Sequence, residues 1–75
     1  MIKYLLYDYG RGEYLESFKL SIIRAAMVLD DRYTTKKSKA LYFLTANEAV
    51  YISALIACYR REEEPLTILT DSEEP

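Results

Sequence analysis

The side chains best suited to covalent chemistry are sparse. The chain has no histidine and a single cysteine, Cys58. A serine, threonine or cysteine nucleophile needs an adjacent base. Ser38 lies between Lys37 and Lys39, the composition of a Ser-Lys pair, but sequence neighbours point apart and do not build that geometry. Cys58 falls on the margin of an apolar helical face, away from a helix N-terminus that would lower its pKa. It reads as a small core hydrophobe. No His/Cys zinc set can be assembled. Thr70-Asp71-Ser72-Glu73 lacks the glycine that a calcium loop needs at its turn. The run Glu62-Glu63-Glu64 reads as a solvated helix end. These residues predict no catalytic site, no metal site and no cofactor, and hence not an enzyme.

Two further motifs bear on phosphate. Gly10-Arg11-Gly12 stands between an expected strand and an expected helix, where phosphate loops occur. It has neither the third glycine nor the Lys-Ser/Thr of a phosphate cradle, so it reads as a turn. Arg32, Lys36, Lys37 and Lys39 are interleaved with Tyr33, Thr34, Thr35 and Ser38, a composition able to contact phosphates. Nucleic-acid domains usually carry a dominant basic face. This chain has a net charge of -2 and a pI of about 5.0. The charges are split, with a basic excess before residue 45 and an acidic one after it. Nucleic acid is therefore an unlikely partner, and binding through 32–39 ranks second among the functions considered.

The elements that would position these residues follow from pattern. At 75 residues the chain is one domain, with 71–75 a frayed acidic tail. Residues 2–8 read as a strand, apolar on both faces and so central in its sheet. Residues 13–29 fit a helix, with Leu15, Phe18, Ile22, Ala26 and Leu29 in one stripe. A second stripe runs Leu20, Ile23, Met27. The rival reading pairs 2–9 with 13–21 as a hairpin around Gly10-Arg11-Gly12, leaving a short helix from about Ser21. Residues 40–44 read as a buried strand. Thr45-Ala46-Asn47-Glu48 is a capping box that opens a helix to about Arg61. Its apolar face holds Ala49, Ile52, Leu55, Ile56 and Tyr59, and its other side is small, with Ala46, Ser53, Ala54 and Ala57. Residues 66–69 form a last short strand. The expected fold is α+β, two-layered, a three-stranded sheet with two helices in β-α-β-α-β order. Right-handed crossovers would put both helices on one face.

Function follows from what this architecture leaves uncovered. Eight tyrosines are the oddest feature of the composition, and tyrosine is enriched at interfaces. Leu20, Ile23 and Met27, with Tyr4 and Tyr42 on the sheet, are the interface candidates. A two-fold dimer is the commonest way to bury such a patch, so a homodimer is expected. The leading reading is a protein-binding module, a small regulator, adaptor or inhibitor acting by surface occlusion. In bulk composition the chain looks like compact acidic inhibitors of the kind carried by phages and mobile elements. No window reaches the length of a membrane span and no signal peptide is visible. One cysteine suits a reducing compartment, and the expected location is the cytoplasm.

Overall fold

The computed structural model describes residues 1–61 and 64–75. It holds five strands and one helix: β1 (Tyr4–Asp8), β2 (Glu13–Ile23), β3 (Ala26–Thr34), β4 (Tyr42–Phe43), α1 (Ala46–Arg60) and β5 (Thr67–Thr70). A single 3-10 turn spans Lys37–Lys39. All strand pairings are antiparallel. The expected three-stranded sheet with two helices is therefore wrong. The predicted helix over 13–29 is instead the hairpin β2–β3; the rival hairpin around Gly10-Arg11-Gly12 forms only as Tyr7↔Tyr14 and Asp8↔Glu13, and strand, not the short helix of that reading, continues from Ser21.

The reason lies in two turns. At the first, the Asp8 carboxylate accepts from the backbone N–H groups of Gly10 and Arg11. The Gly12 N–H donates to the Asp8 carbonyl at 2.8 Å, with Gly12 at φ 69°. That left-handed geometry is open to glycine, and it sets Tyr7 opposite Tyr14. Beyond it, Phe18, Leu20 and Ile22 alternate with Ser17, Lys19 and Ser21, a strand period of two. The second turn, Arg24-Ala25, joins the paired residues Ile23 and Ala26. Both turn residues are left-handed, φ 52° and 63°, the pattern of a type I′ turn. No glycine, asparagine or aspartate announces it. The helical stripe at 15, 18, 22, 26 and 29 is broken up accordingly. Leu15 and Leu29 are buried, Phe18 is half-buried, and Ile22 and Ala26 are exposed.

Strand β1 is central, and its residues alternate between two cores. Leu6 joins Leu15, Leu29, Ala49, Ile56 and Leu66 under the helix. Leu5 joins Tyr14 and Leu69 on the other face, where Ala40 and Tyr7 pack. That outer face is covered in part by Ala40 and carries edge-on contacts of Tyr7 with Tyr9 and Tyr14, while Tyr9 and Tyr42 stay exposed. Burying Leu6, Leu15 and Ile56 completely contributes roughly 1.5–3 kcal/mol each.

Helix α1 starts where the capping box places it. Thr45 Oγ1 accepts from the Glu48 N–H at 3.3 Å. The Glu48 carboxylate accepts from the Thr45 hydroxyl rather than from its N–H. Arg61 closes the helix in the left-handed region, φ 56°. Glu62 and Glu63, from the run read as a solvated helix end, lie outside the described residues. The helix buries Ala49, Ser53, Ile56 and Ala57, so Ser53 and Ala57, from the side read as small, face inward. Ser53 Oγ donates to the Leu66 carbonyl at 2.8 Å, tying the helix to the segment before β5. Tyr51 and Tyr59 are exposed, as is Cys58, which is not the core residue expected. The tail is held by Asp71 N–H on the Lys3 carbonyl and by Lys37 Nζ on Glu73 O and Glu74 Oε1.

Two stability changes follow. Thr45→Ala removes the cap and costs about 1 kcal/mol, read as a lower urea midpoint with an unchanged slope. Ala25→Gly relieves a left-handed alanine and stabilises by about 1 kcal/mol, raising Tm by roughly 4–8 °C.

Candidate functional site

The hairpin β2–β3 leaves the body of the domain. Its cross-strand pairs run from Tyr14↔Thr34 to Ile23↔Ala26, with a register shift between Leu15 and Ser17. The molecule measures 41 × 25 × 22 Å. On the helix side of the hairpin lie Phe18, Leu20 and Ile22, opposite Asp31, Leu29 and Met27. Toward the tip this face runs out from under the helix. Leu20 is 40% exposed, Met27 53% and Ile22 78%. The reverse face is polar at Ser17, Lys19 and Ser21, then apolar again at Ile23 and Val28, both exposed. The tip is thus apolar on both faces. Large exposed apolar patches mark interaction surfaces.

Between this face and the start of α1, a cleft of about 450 Å³ is lined by Phe18, Phe43, Asn47, Glu48, Tyr51 and Ile52. Its apolar floor continues the hairpin surface, since Leu20 is the next residue on the same side of β2.

The interface candidates separate in space. Leu20 and Met27 are neighbours on one side of the tip, and Ile23 points to the other. Tyr4 is half-buried against the main core. Tyr42 lies on β4, exposed, with Lys3 Nζ 4.7 Å from its ring centre. Ile22 and Val28 complete the tip and were missed by the helical reading. Strict alternation through 17–22 was the signal that could have found Ile22. The basic residues do not form one surface. Arg32 is exposed on the reverse face of β3, opposite Ser17, and the Lys36 N–H donates to Thr34 Oγ1. Lys37 is paired with Glu74, while Lys39 is exposed. Among the described residues, no three acidic or cysteine side chains gather as a metal group. No helix there is long and apolar enough to cross a membrane.

Asp31 links the projecting hairpin to the helix. Its side chain is 2% exposed. Arg60, at the end of α1, donates to both carboxylate oxygens. The Tyr33 hydroxyl donates to Oδ2 at 2.8 Å, and the Arg11 guanidinium lies 4.4 Å over the Tyr33 ring. Burial pushes the Asp31 carboxyl up. The hydrogen bonds from Arg60 and Tyr33, with the charge of Arg60, outweigh it and hold the group below its ordinary value. Burial, then the bond to Asp31, raises the Tyr33 hydroxyl.

A depressed carboxyl pKa stabilises the fold above the unfolded value, 3.8. That stabilisation is lost as pH falls through the lower folded value. Asp31→Asn therefore costs about 2 kcal/mol at neutral pH and flattens the acid limb of the stability curve below pH ~4, both readable by urea titration. No family model matches the chain, and no curated protein and no solved structure matches it either, so the functional reading rests on the hairpin and the network at its base.

Proposed function

We propose that the chain is a non-enzymatic protein-binding module, a small regulator or inhibitor acting by surface occlusion, with hairpin β2–β3 as its contact element. The observation that carries this reading is the tip, where Leu20, Ile22, Ile23, Met27 and Val28 are exposed together. Exposing several large side chains forgoes roughly 1.5–3 kcal/mol each. A domain of this size has only about 3–5 kcal/mol to spare. Fixed, rigidly hydrogen-bonded strands also lose little entropy when a partner covers them. The partner is a protein, and a homodimer is its simplest form. A lone unpaired thiol, Cys58, agrees with a reducing compartment, and we assign the module to the cytoplasm.

Photo-crosslinking in the native cell tests the reading. Benzoylphenylalanine in place of Ile22 should give a light-dependent protein adduct of discrete mass. Leu20→Asp with Met27→Asp should abolish it, and the same probe in place of Ala54, exposed on the outer side of α1, should not give it. Equal labelling from both positions, or none from position 22, overturns the proposal.

A further inference from the structure

Among the described residues, strand β3 pairs with β2 on one edge and its other edge is open. We infer that this edge takes a second copy of the chain, two β3 strands pairing antiparallel about a two-fold axis through Val28. This inference rests on the reading of the hairpin as a protein-binding element and names its partner.

Backbone geometry comes first. A two-residue turn makes Ile23 and Ala26 the closing hydrogen-bonded pair. The N–H and C=O groups then alternate along β3, so those of Met27, Leu29 and Asp31 point away from β2. They form a donor-acceptor row open to another strand.

Charge then excludes registers centred toward Thr34, and the turn at Arg24-Ala25 shortens any centred nearer the tip than Val28. A two-fold axis perpendicular to the sheet brings one residue opposite itself. Centred on Asp30 or Asp31, it opposes two carboxylates, and centred on Arg32, two guanidiniums. Like charges directly opposite are destabilising. Centred on Leu29, it sets Asp30 against Val28 and Asp31 against Met27 of the other copy. Centred on Val28, it sets Val28 against Val28 and Met27 against Leu29, and no carboxylate meets a large apolar side chain. In this register the turn of each hairpin reaches the level of Asp31 in the other copy, where Arg60 ends α1.

Area agrees. The accessible surface is 5379 Å², about 600 Å² more than a compact 8.8 kDa monomer presents. Specific interfaces begin near ~600 Å² per partner. The excess is of the size one such contact removes.

The self-opposed position makes the test specific. Light scattering after gel filtration at micromolar concentration should give twice 8.8 kDa. Val28→Lys and Val28→Glu should each give the monomer mass with an unchanged circular dichroism spectrum, and their equimolar mixture should restore the doubled mass. Should either variant unfold, Val28→Cys in a Cys58→Ser background replaces it. Opposed residues of a non-hydrogen-bonded pair lie ~4.5 Å apart at Cα, within disulfide reach. Oxidation should therefore give a covalent dimer, and Arg32→Cys in the same background should not. A wild-type mass of 8.8 kDa at about 100 µM overturns the second copy. So does a mixture of folded Lys and Glu variants that stays monomeric. If an Ile22 adduct with a different protein forms alongside a monomeric wild type, the second copy fails and the binding module stands. No adduct and no dimer ends both.

Discussion

Strand β1 has two edges, and three strands pair with it. β5 takes one edge along Tyr4–Tyr7. The other is divided, with β2 at Tyr7 and Asp8 and β4 at Tyr4 and Leu5. This division governs the architecture. β2 must leave β1 near Leu15 to make room for β4, and the Leu41 N–H donates to the Leu15 carbonyl at that point. The register shift between Leu15 and Ser17 is the local device, since a bulge bends its strand and sharpens the twist. Everything beyond Ser17 is then freed from the body of the sheet. The projecting hairpin is the geometric remainder of a crowded central strand.

A freed hairpin has few neighbours to fix its direction. The Asp31–Arg60–Tyr33 cluster fills that role from the helix side. It is placed at the last point where β3 still runs under α1, and Leu29, the next residue on the same face, is the last one buried. Ion pairs of this kind orient more than they stabilise, because desolvation offsets much of the attraction. Here the orientation is what matters. It aims the tip away from the domain and leaves Leu20, Ile22 and Met27 uncovered.

The sequence carried some of this plainly and hid the rest. Thr45 and Glu48 announced the helix start because capping is local chemistry. The apolar character of 2–8 on both faces implied a central strand, and Tyr4–Asp8 is paired on both edges. The hairpin was harder. Phe18 and Ile22 are four apart, so they satisfy a helical stripe and a strand alternation at once. Arg24-Ala25 supplies none of the residue types that favour positive φ, so tertiary pairing alone enforces the turn. On α1, apolar residues occur all around, with Val50, Tyr51 and Tyr59 outside and Ser53 and Ala57 inside. Composition could not indicate that Ser53 and Ala57 face the sheet while Ala46 and Ala54 stay exposed. Close approach to Leu6 and Leu66 demanded it. The interface candidates Leu20, Ile23 and Met27 were reached through the wrong element. Leu20 and Met27 still share a face because the turn at 24–25 folds them together, while strand alternation sends Ile23 to the other face.

The consecutive charges Asp30, Asp31 and Arg32 have two consequences at once. Within the chain, one of them points to the helix and is neutralised by Arg60. The two on either side point the other way, with Asp30 opposite Lys19 and Arg32 opposite Ser17. Along the open edge they divide β3 into two halves. The half toward Thr34 is guarded, since charge on an edge strand discourages pairing with other chains. The half toward the tip, Ala26 to Leu29, carries no charge at all. An edge open along its whole length could slide and grow into open-ended assemblies. An edge that carries charge from Asp30 onward disfavours any register that slides toward Thr34. The charges that look misplaced in mid-strand thus limit what the apolar tip can do.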